Sequence, residues 1–484
     1  MESIWHRTAK LSPKPSLKGN LAVDAAVIGG GLAGVLTASL LWEAGLRTVV
    51  LEADRAGSGQ TGNTTAKVTA QHGDIYCRLE ESLGPEAAAL YAEANQKAVE
   101  QYETMIRKRN ISCGWERLPA WLYSRSGENT LAREAEAQKR AGLPAGFAKD
   151  AGLPFPIKGA VRCEGQAQFH PLEFLFSLAD NLEIYEGTRV LEVEGDQLRT
   201  SGGLVRAKHI MFACHFPFVN APGYYFLRMH QERSYAVALR GGPELEGMYY
   251  SVDPGGLSLR RAGEYLLVGG GSHRTGENQD GGKYEALSRS AGLLFPEAKE
   301  AARWSAQDCV TLDGVPYIGQ FSASTPSWYV ATGFGKWGMT HSMVAAQLLR
   351  DQILGRENPY AGIFSPQRFT PAASAGQLLS NGLHAVRDLG RELLAPARGA
   401  AGTLPPGRGG VVELEGEKVG VYRTADGEAY IVDIRCPHLG CQLEWNPDEK
   451  SWDCPCHGSR FDERGRLLCG PAQQDLWSAR IEEL

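Results

Sequence analysis

The sequence predicts an α/β domain interleaved with a mixed-sheet domain, followed by a small all-β module. Three observations support this fold class. A strand, a glycine turn, a helix and a second strand follow one another within residues 24–52; apolar and polar residues alternate in segments between 221 and 304; and five of the ten cysteines fall in the last 49 residues. At roughly 150 residues per domain, the 484 residues correspond to about three structural units, more than one hydrophobic core serves.

The composition excludes several classes of protein. With 50 Lys and Arg against 56 Asp and Glu the formal net charge is −6, and the chain is 22% charged and 43% hydrophobic. This is an ordinary globular mixture rather than that of a disordered or nucleic-acid-coating protein. The N-terminus has an early acid and no apolar core of the length that a secretory signal needs. Residues 25–42 carry no charge over 18 positions, but their glycines would be costly in a membrane helix. We therefore expect a cytoplasmic protein with no membrane span and no nucleic-acid partner; the composition does not indicate an oligomeric state.

The first motif is a glycine turn between a strand and a helix. Residues 29–34 read G-x-G-x-x-G after an apolar run, and the periodicity from Leu32 to Ala44 predicts a helix. Such a turn lets the backbone approach a pyrophosphate, and the helix N-terminus presents N–H groups to it. An acid at the end of the next strand, Glu52, lies 21 residues after Gly31, where it can accept hydrogen bonds from ribose hydroxyls.

The predicted dinucleotide site therefore consists of the turn, the helix start and the acid: Gly29, Gly31, Leu32, Ala33, Gly34 and Glu52. NAD and FAD both bind this type of cradle, so the motif leaves the choice between them open.

Three further segments indicate a family. They read ADRAGSGQTGNTTAKVTAQHG (53–73), DGVPYIG (313–319) and WYVATGFGKWGMTHSMVAAQLL (328–349). Together they resemble the FAD-dependent D-amino acid oxidase and sarcosine oxidase (DAO) family from about residue 20 to 355. The resemblance implies FAD as the cofactor and adds these residues to its expected site: Thr61, Thr64, Thr65, Lys67, Val190, Gly333, Phe334, Gly335, Lys336, Trp337, Gly338 and Met339.

The second motif lies near the C-terminus, where Cys436-x-His438 is followed by Cys454-x-x-His457. Two cysteines and two histidines would also suit a tetrahedral zinc ion, and that alternative stays open. The extra cysteines, one after the first pair and one within the second, make the pattern similar to a Rieske 2Fe-2S domain. The resemblance implies that Cys436 and Cys454 ligate one iron, that His438 and His457 ligate the other, and that Cys441 and Cys456 form a disulfide.

The two resemblances together imply an α/β (α+β) FAD-binding Rossmann-like domain with an interleaved mixed-sheet substrate domain, plus a small all-β Rieske domain. The predicted boundaries are a DAO-type oxidoreductase over 1–355, with FAD parts at about 20–80, 155–220 and 305–355 and substrate parts at about 81–154 and 221–304; a linker with one helix, Ser374 to Leu394, over 356–403; and the Rieske domain over 404–484.

Catalytic residues are harder to predict. In this family a hydride passes from the substrate carbon to the flavin, so position matters more than a strong protein base. We expect His72, just after the flavin-lining segment, His273, after a glycine run that borders the active site in the family, and Lys336 within the flavin motif. Each has a structural alternative, a histidine satisfied by hydrogen bonds or a lysine that points to solvent.

The expected function is FAD-dependent oxidation of a small amine or amino-acid-like molecule. Electrons would leave one at a time through the cluster to an external acceptor, with an electron-transfer protein as the expected partner. Two alternatives stay open: the cluster feeds electrons to the flavin in a reductase, or the protein is a redox sensor without catalysis.

One departure from the Rieske pattern predicts a property of the cluster. Ser459 matches the serine whose hydroxyl donates to a cluster sulfur, but Phe461 stands where high-potential Rieske proteins carry a tyrosine. The loss of one hydrogen bond to the sulfur environment should make the cluster less oxidising. A redox titration is therefore expected to give a potential below the top of the Rieske range, and a value among the most positive Rieske centres would contradict this.

Overall fold

The computed structural model describes residues 2–368, 370, 374 and 404–481. Two large sheets make up the N-terminal three-quarters of this part, and two four-stranded sheets make up the C-terminal module. The helix predicted over Ser374 to Leu394 lies outside the described residues except for Ser374. No helix in the described ranges has the length and apolarity to cross a membrane.

The first sheet has eight strands, and its centre is parallel. Its strands are β1 (Leu21–Ile28), β2 (Thr48–Leu51), β7 (Glu183–Tyr185), β8 (Val190–Glu194), β9 (Gln197–Thr200), β10 (Gly203–Phe212), β16 (Tyr317–Ser322) and β17 (Thr325–Thr332). The order along the main path is β16, β17, β10, β1, β2, β7. β2 is buried at every position, as expected for an inner strand of a parallel sheet whose two faces are both covered.

The second sheet has nine strands and contains most of the predicted substrate parts. Its strands are β3 (Lys67–Val68), β4 (Glu116–Ser124), β5 (Ala145–Ala148), β6 (Gly159–Gln168), β11 (Met229–Arg240), β12 (Met248–Ser251), β13 (Ser258–Ala262), β14 (Tyr265–Arg274) and β15 (Lys299–Thr311). β3 and β6 pair with each other at the edge of this sheet, although the predicted boundaries assigned both to the FAD part. After β2 of the first sheet, the next strand along the chain, β3, therefore belongs to the second sheet.

The helices cover both sheets. They are α1 (Ile4–Thr8), α2 (Leu32–Glu43), α3 (Gln60–Asn63), α4 (Ile75–Leu83), α5 (Pro85–Arg109), α6 (Asn129–Arg140), α7 (Pro171–Ala179), α8 (Tyr225–Arg228), α9 (Lys283–Leu294), α10 (Gly338–Ile353) and α11 (Ala361–Phe364). α2 and α10 pack against each other, so the helix that follows the dinucleotide turn and the helix that follows the second flavin motif lie side by side.

The C-terminal module is all-β, as predicted. One sheet contains β18 (Gly409–Leu414), β19 (Glu417–Arg423), β20 (Ala429–Val432) and β25 (Ser478–Ile481), and the other contains β21 (Glu444–Asn446), β22 (Ser451–Asp453), β23 (Arg460–Asp462) and β24 (Leu467–Cys469). Its core is aromatic: Trp445 stacks on Tyr422 and lies 4.9 Å from the ring of Trp452, which is fully buried.

The module is seated on the second sheet through the turn between β21 and β22. Within this turn, the Glu449 carboxylate accepts hydrogen bonds from Arg233 (2.8 Å), Ser305 (2.7 Å) and Tyr284 (2.7 Å). The neighbouring Asp448 carboxylate accepts from the backbone of α9 and its N-cap. These contacts join parts of the chain that are 144 or more residues apart, so they hold the module against the rest of the protein.

Replacing Glu449 by Gln should destabilise this contact. The Arg233 side chain is only 2% exposed, and removing its anion leaves a buried guanidinium without a charge partner, which typically costs about 3–5 kcal/mol. We expect a lower urea midpoint for the holoprotein. The control is Glu463→Gln, which removes a carboxylate of the same module that pairs with Arg464 at the surface. Equal midpoints for the two variants would contradict the prediction.

Candidate active site

A cavity of about 760 Å³ is lined by residues of both large sheets and of the C-terminal module. The wall contains almost every predicted cofactor residue, namely Gly29, Gly31, Leu32, Ala33, Glu52, Thr61, Thr64, Thr65, Lys67, Val190, Gly333, Phe334, Gly335, Lys336, Trp337, Gly338 and Met339. The exception is Gly34, which lies behind the wall, where a Cβ atom would overlap the carbonyl oxygen of Gly29.

The dinucleotide turn has the geometry that a pyrophosphate requires. Gly29 adopts φ +111°, and a Cβ there would lie 2.5 Å from the Ala213 carbonyl oxygen. The Glu52 carboxylate accepts hydrogen bonds from the backbone N–H groups of Gly30 (2.7 Å) and Asp54 (2.8 Å), and burial raises its pKa. The residues present therefore fit a dinucleotide: the turn is open, the helix start faces the cavity, and the acid is oriented by the turn itself.

The second flavin motif forms the opposite end of the wall. After β17 the backbone adopts the left-handed conformation at Gly333 (φ +75°) and Gly335 (φ +55°). α10 then begins at Gly338. The Gly335 N–H donates to the carbonyl oxygen of Cys309 on β15 (2.8 Å). The start of α10 is thereby held at the cavity, where a helix N-terminus favours negative charge.

His72 lies behind this motif and outside the cavity wall. Its ring is 3% exposed and stacks on Trp337 at 4.9 Å. Nδ1 lies 2.7 Å from the Tyr91 hydroxyl and Nε2 lies 2.6 Å from the Thr69 carbonyl oxygen, and burial lowers its pKa well below the usual value. Both nitrogens are thus occupied, and the structure places His72 as a support for Trp337.

The other two predicted catalytic residues lie in different surroundings. His273 is also outside the wall, with Nε2 3.1 Å from the Tyr235 hydroxyl and Nδ1 2.7 Å from the Arg274 carbonyl oxygen. Lys336 lies in the wall, where its Nζ donates to Ser272 (2.7 Å) and lies 3.4 Å from the Glu232 carboxylate. Of the three candidates only Lys336 faces the cavity, and the catalytic roles stay predictions.

The sequence analysis missed Asp308, an acid of β15 in the cavity wall. It stands opposite Glu232 in the register of β11 and β15. Burial raises the pKa of Asp308 to about 7, whereas hydrogen bonding from His230, together with Lys336, lowers the pKa of Glu232 to about 2. Two neighbouring acids with pKa values pushed apart are typical of an acid–base site. The sequence did not mark Asp308 out, because β15 (KEAARWSAQDCVT) also carries Lys299, Glu300 and Arg303.

The predicted iron ligands converge in the C-terminal module. Nδ1 of His438 lies 3.2 Å from Nδ1 of His457, near the spacing of two ligands on one tetrahedral ion with bonds of about 2.1 Å. A hydrogen bond between the Cys436 and Cys454 thiols is the main reason that the pKa of Cys436 is lowered. Cys441 and Cys456 form the expected disulfide. Two sulfur atoms side by side and two nitrogens side by side fit the mixed ligand set of a Rieske cluster.

The strands β11 and β15 separate the cavity from the cluster loops. On the face toward the module, the Gln231 amide donates to the His457 carbonyl oxygen (2.6 Å) and the Gln307 amide donates to the Gly458 carbonyl oxygen (2.7 Å). On the other face, Asp308 lines the cavity, as the alternation of side chains along a strand requires. The module also contributes Cys469 and Gly470 to the cavity wall itself.

Comparison with known proteins decides the family. Residues 24–352 match the family model of FAD dependent oxidoreductases (DAO), and residues 397–480 match that of the Rieske [2Fe-2S] domain. The chain belongs to the FAD-dependent oxidoreductase family. This oxidoreductase binds FAD in its N-terminal part and a 2Fe-2S cluster in its C-terminal domain, so the predictions of FAD over NAD and of a Rieske cluster over zinc are confirmed.

Three similar proteins match the whole chain, its Rieske domain or its FAD-binding part. The putative Rieske 2Fe-2S iron-sulfur protein YhfW of Bacillus subtilis is 37% identical over 493 residues, covering 98% of this chain and 97% of the relative. The cytochrome b6-f complex iron-sulfur subunit of Prochlorococcus marinus is 34% identical over 26% of this chain and 68% of its own length. The crystal structure of glycine oxidase from Geobacillus kaustophilus superposes with a TM-score of 0.61 at 20% identity, covering 72% of this chain and 99% of that protein. Together with the two family models, this last likeness confirms the predicted fold class.

Replacing Gly34 by Ala should weaken FAD binding. The added methyl group would overlap the Gly29 carbonyl oxygen, so the start of α2 must move away from the turn. We expect the affinity for FAD to fall at least about tenfold, which is about 1.4 kcal/mol, measured by fluorescence titration of the deflavinated protein. Gly362→Ala is the control, because that position has no heavy atom within 4 Å of an added Cβ. An unchanged FAD affinity in Gly34→Ala would contradict the prediction.

Proposed function

We propose that this oxidoreductase oxidises a small amine or amino-acid-like substrate and passes the electrons, one at a time, through the Rieske domain to an external electron-transfer protein. When bound, FAD accepts a hydride from the carbon next to the amine nitrogen, and the 2Fe-2S cluster exchanges single electrons. The observation that carries the proposal is the shared wall: Cys469 and Gly470 of the Rieske domain line the cavity that the flavin motifs form. A Rieske domain that served only as a redox sensor for another protein would not need this contact with the flavin cavity.

Asp308 supports an amine as the substrate. Among the described residues its carboxylate has no hydrogen-bond partner, and it faces the same cavity as Lys336. A carboxylate with a pKa near neutrality can hold an ammonium group and accept its proton. The neutral amine that results is the form that can release a hydride, so this side chain offers both recognition and proton transfer.

Anaerobic mixing tests the proposal. The FAD- and cluster-loaded protein is mixed with a panel of glycine, sarcosine, L-proline, D-alanine and benzylamine, and flavin absorbance and the EPR signal of the reduced cluster are followed in the same samples. We expect at least one compound to bleach the flavin and to produce the EPR signal. In Cys454→Ser, which lacks an iron ligand, the same compound should bleach the flavin without the signal.

The alternatives predict other outcomes in this experiment. Absence of bleaching by any amine, together with oxidation of the reduced cluster by the flavin, would contradict the proposal and favour electron flow from the cluster. Absence of any exchange between the two would favour a redox sensor.

Replacing Asp308 by Asn should slow flavin reduction and remove its pH dependence. The raised pKa means that the proton-accepting carboxylate forms only as the pH rises through about 7, while Lys336 and Glu232 beside it, and Arg233 on the other face of the sheet, contribute fixed charge. At saturating amine we expect the wild-type rate to rise through about pH 7 and the variant to be flat and about a hundredfold slower at pH 8. Asp180→Asn, at an exposed position, is the control. A variant that keeps the rising profile would contradict the role of Asp308.

A further inference from the structure

One continuous segment connects the cavity with the cluster loops. This segment, residues 214–228 between β10 and β11, is called the bridging segment. Its first residues, including Cys214 and Phe216, line the cavity. Its later residues reach the Rieske domain, where the Phe226 ring stands edge-on to the rings of His438 and His457, with centroids 6.3 and 5.7 Å away. The same stretch of backbone therefore touches both redox sites.

Asn220 makes the closest contact of the bridging segment with a predicted iron ligand. Its Oδ1 lies 2.7 Å from Nε2 of His438. Because Nδ1 of His438 faces Nδ1 of His457 at 3.2 Å, Nδ1 is the nitrogen on the metal side. A ligating neutral imidazole carries its proton on the other nitrogen, so Nε2–H donates to the Asn220 oxygen. The backbone carbonyl of Asn220 accepts the Tyr224 N–H (3.1 Å), which holds the acceptor in place.

We propose that Asn220 is a positioning residue for the Rieske cluster, which orients the His438 imidazole from the flavin side and lowers the potential of the cluster. An acceptor on the outer N–H makes a ligating imidazole a stronger electron donor to the metal. The oxidised cluster, which carries more positive charge, gains more from this than the reduced one. The inference rests on the proposed function only where it places the contact between Asn220 and His438 on the path of the electrons. The effect of Asn220 on the cluster potential does not require any substrate.

The experiment is a redox titration of the full-length holoprotein with dithionite and mediators, followed by EPR. One electron enters the cluster from dithionite, and the Nε2 proton stays on His438. We compare the wild type with Asn220→Leu, which removes the acceptor at similar volume, and with Asn220→Asp, which keeps an acceptor oxygen and adds negative charge. Ser305→Ala is the control, because it removes one hydrogen bond of the same interface, to Glu449, without touching a histidine.

The two variants should shift in opposite directions. At a fixed ambient potential, Asn220→Leu should raise the ratio of reduced to oxidised cluster about tenfold, or about 59 mV for one electron. Asn220→Asp should lower the ratio, and Ser305→Ala should leave it unchanged. A role confined to holding the interface together would not produce this order.

Equal potentials and equal EPR spectra in wild type and Asn220→Leu would overturn the proposal. If Asn220→Leu does not retain its cluster, Asn220→Asp decides, and a potential equal to or above that of the wild type overturns it. Because no amine is present, these results are independent of the anaerobic mixing experiment, and failure of one does not entail failure of the other.

Discussion

The arrangement of this protein depends on the carboxylate of Glu449, whose side chain is only 13% exposed. It accepts hydrogen bonds from Arg233 on β11, from Ser305 on β15 and from Tyr284 on α9, and it lies 3.3 Å from Arg460 of its own domain. Charges are costly to bury unless their partners are complete. The partners of this carboxylate come from three separate elements, and the observed position of the Rieske domain satisfies all of them at once.

With the Rieske domain in this position, β11 and β15 lie between the cavity of the flavin motifs and the cluster loops and separate them. Gln231 and Gln307 support the loop that carries His457 on one face, while Asp308 faces the cavity on the other. The separation between the cavity and the cluster loop is therefore about one layer of sheet.

The two sites are also linked around the edge of these two strands. The bridging segment runs from the cavity wall at Cys214 to Asn220 beside the imidazole of His438, and the end of β24 places Cys469 in the same wall. The cavity wall and the His438 imidazole are thus connected by the backbone of the bridging segment and by the hydrogen bond of Asn220 to His438.

Much of the fold and of the cofactor sites could be predicted from the sequence. The helix predicted from Leu32 to Ala44 runs from Leu32 to Glu43, and the residues of the two flavin motifs line one cavity. The edge of the second sheet was harder to predict, because β3 has only two residues. Two residues are too few to show an alternation of apolar and polar side chains. Likewise His72 follows a flavin-lining segment in the chain, but its ring turns away from the cavity.

The sequence by itself determined the features whose chemistry lies within one short stretch: the glycine turn, the flavin helix, and the spacing of Cys436, His438, Cys454 and His457. Local spacing sets local geometry, so these motifs narrow the sites to a dinucleotide cradle and a Cys₂His₂ ligand set, although the turn alone does not separate NAD from FAD and the four ligands alone do not separate a cluster from zinc. Only the tertiary structure decided that Asp308 faces Lys336 in the cavity, and that Asn220 meets His438 across 218 positions of the chain. Such pairs have no spacing rule, because they depend on how the sheets and the Rieske domain pack, and packing is a property of the whole chain.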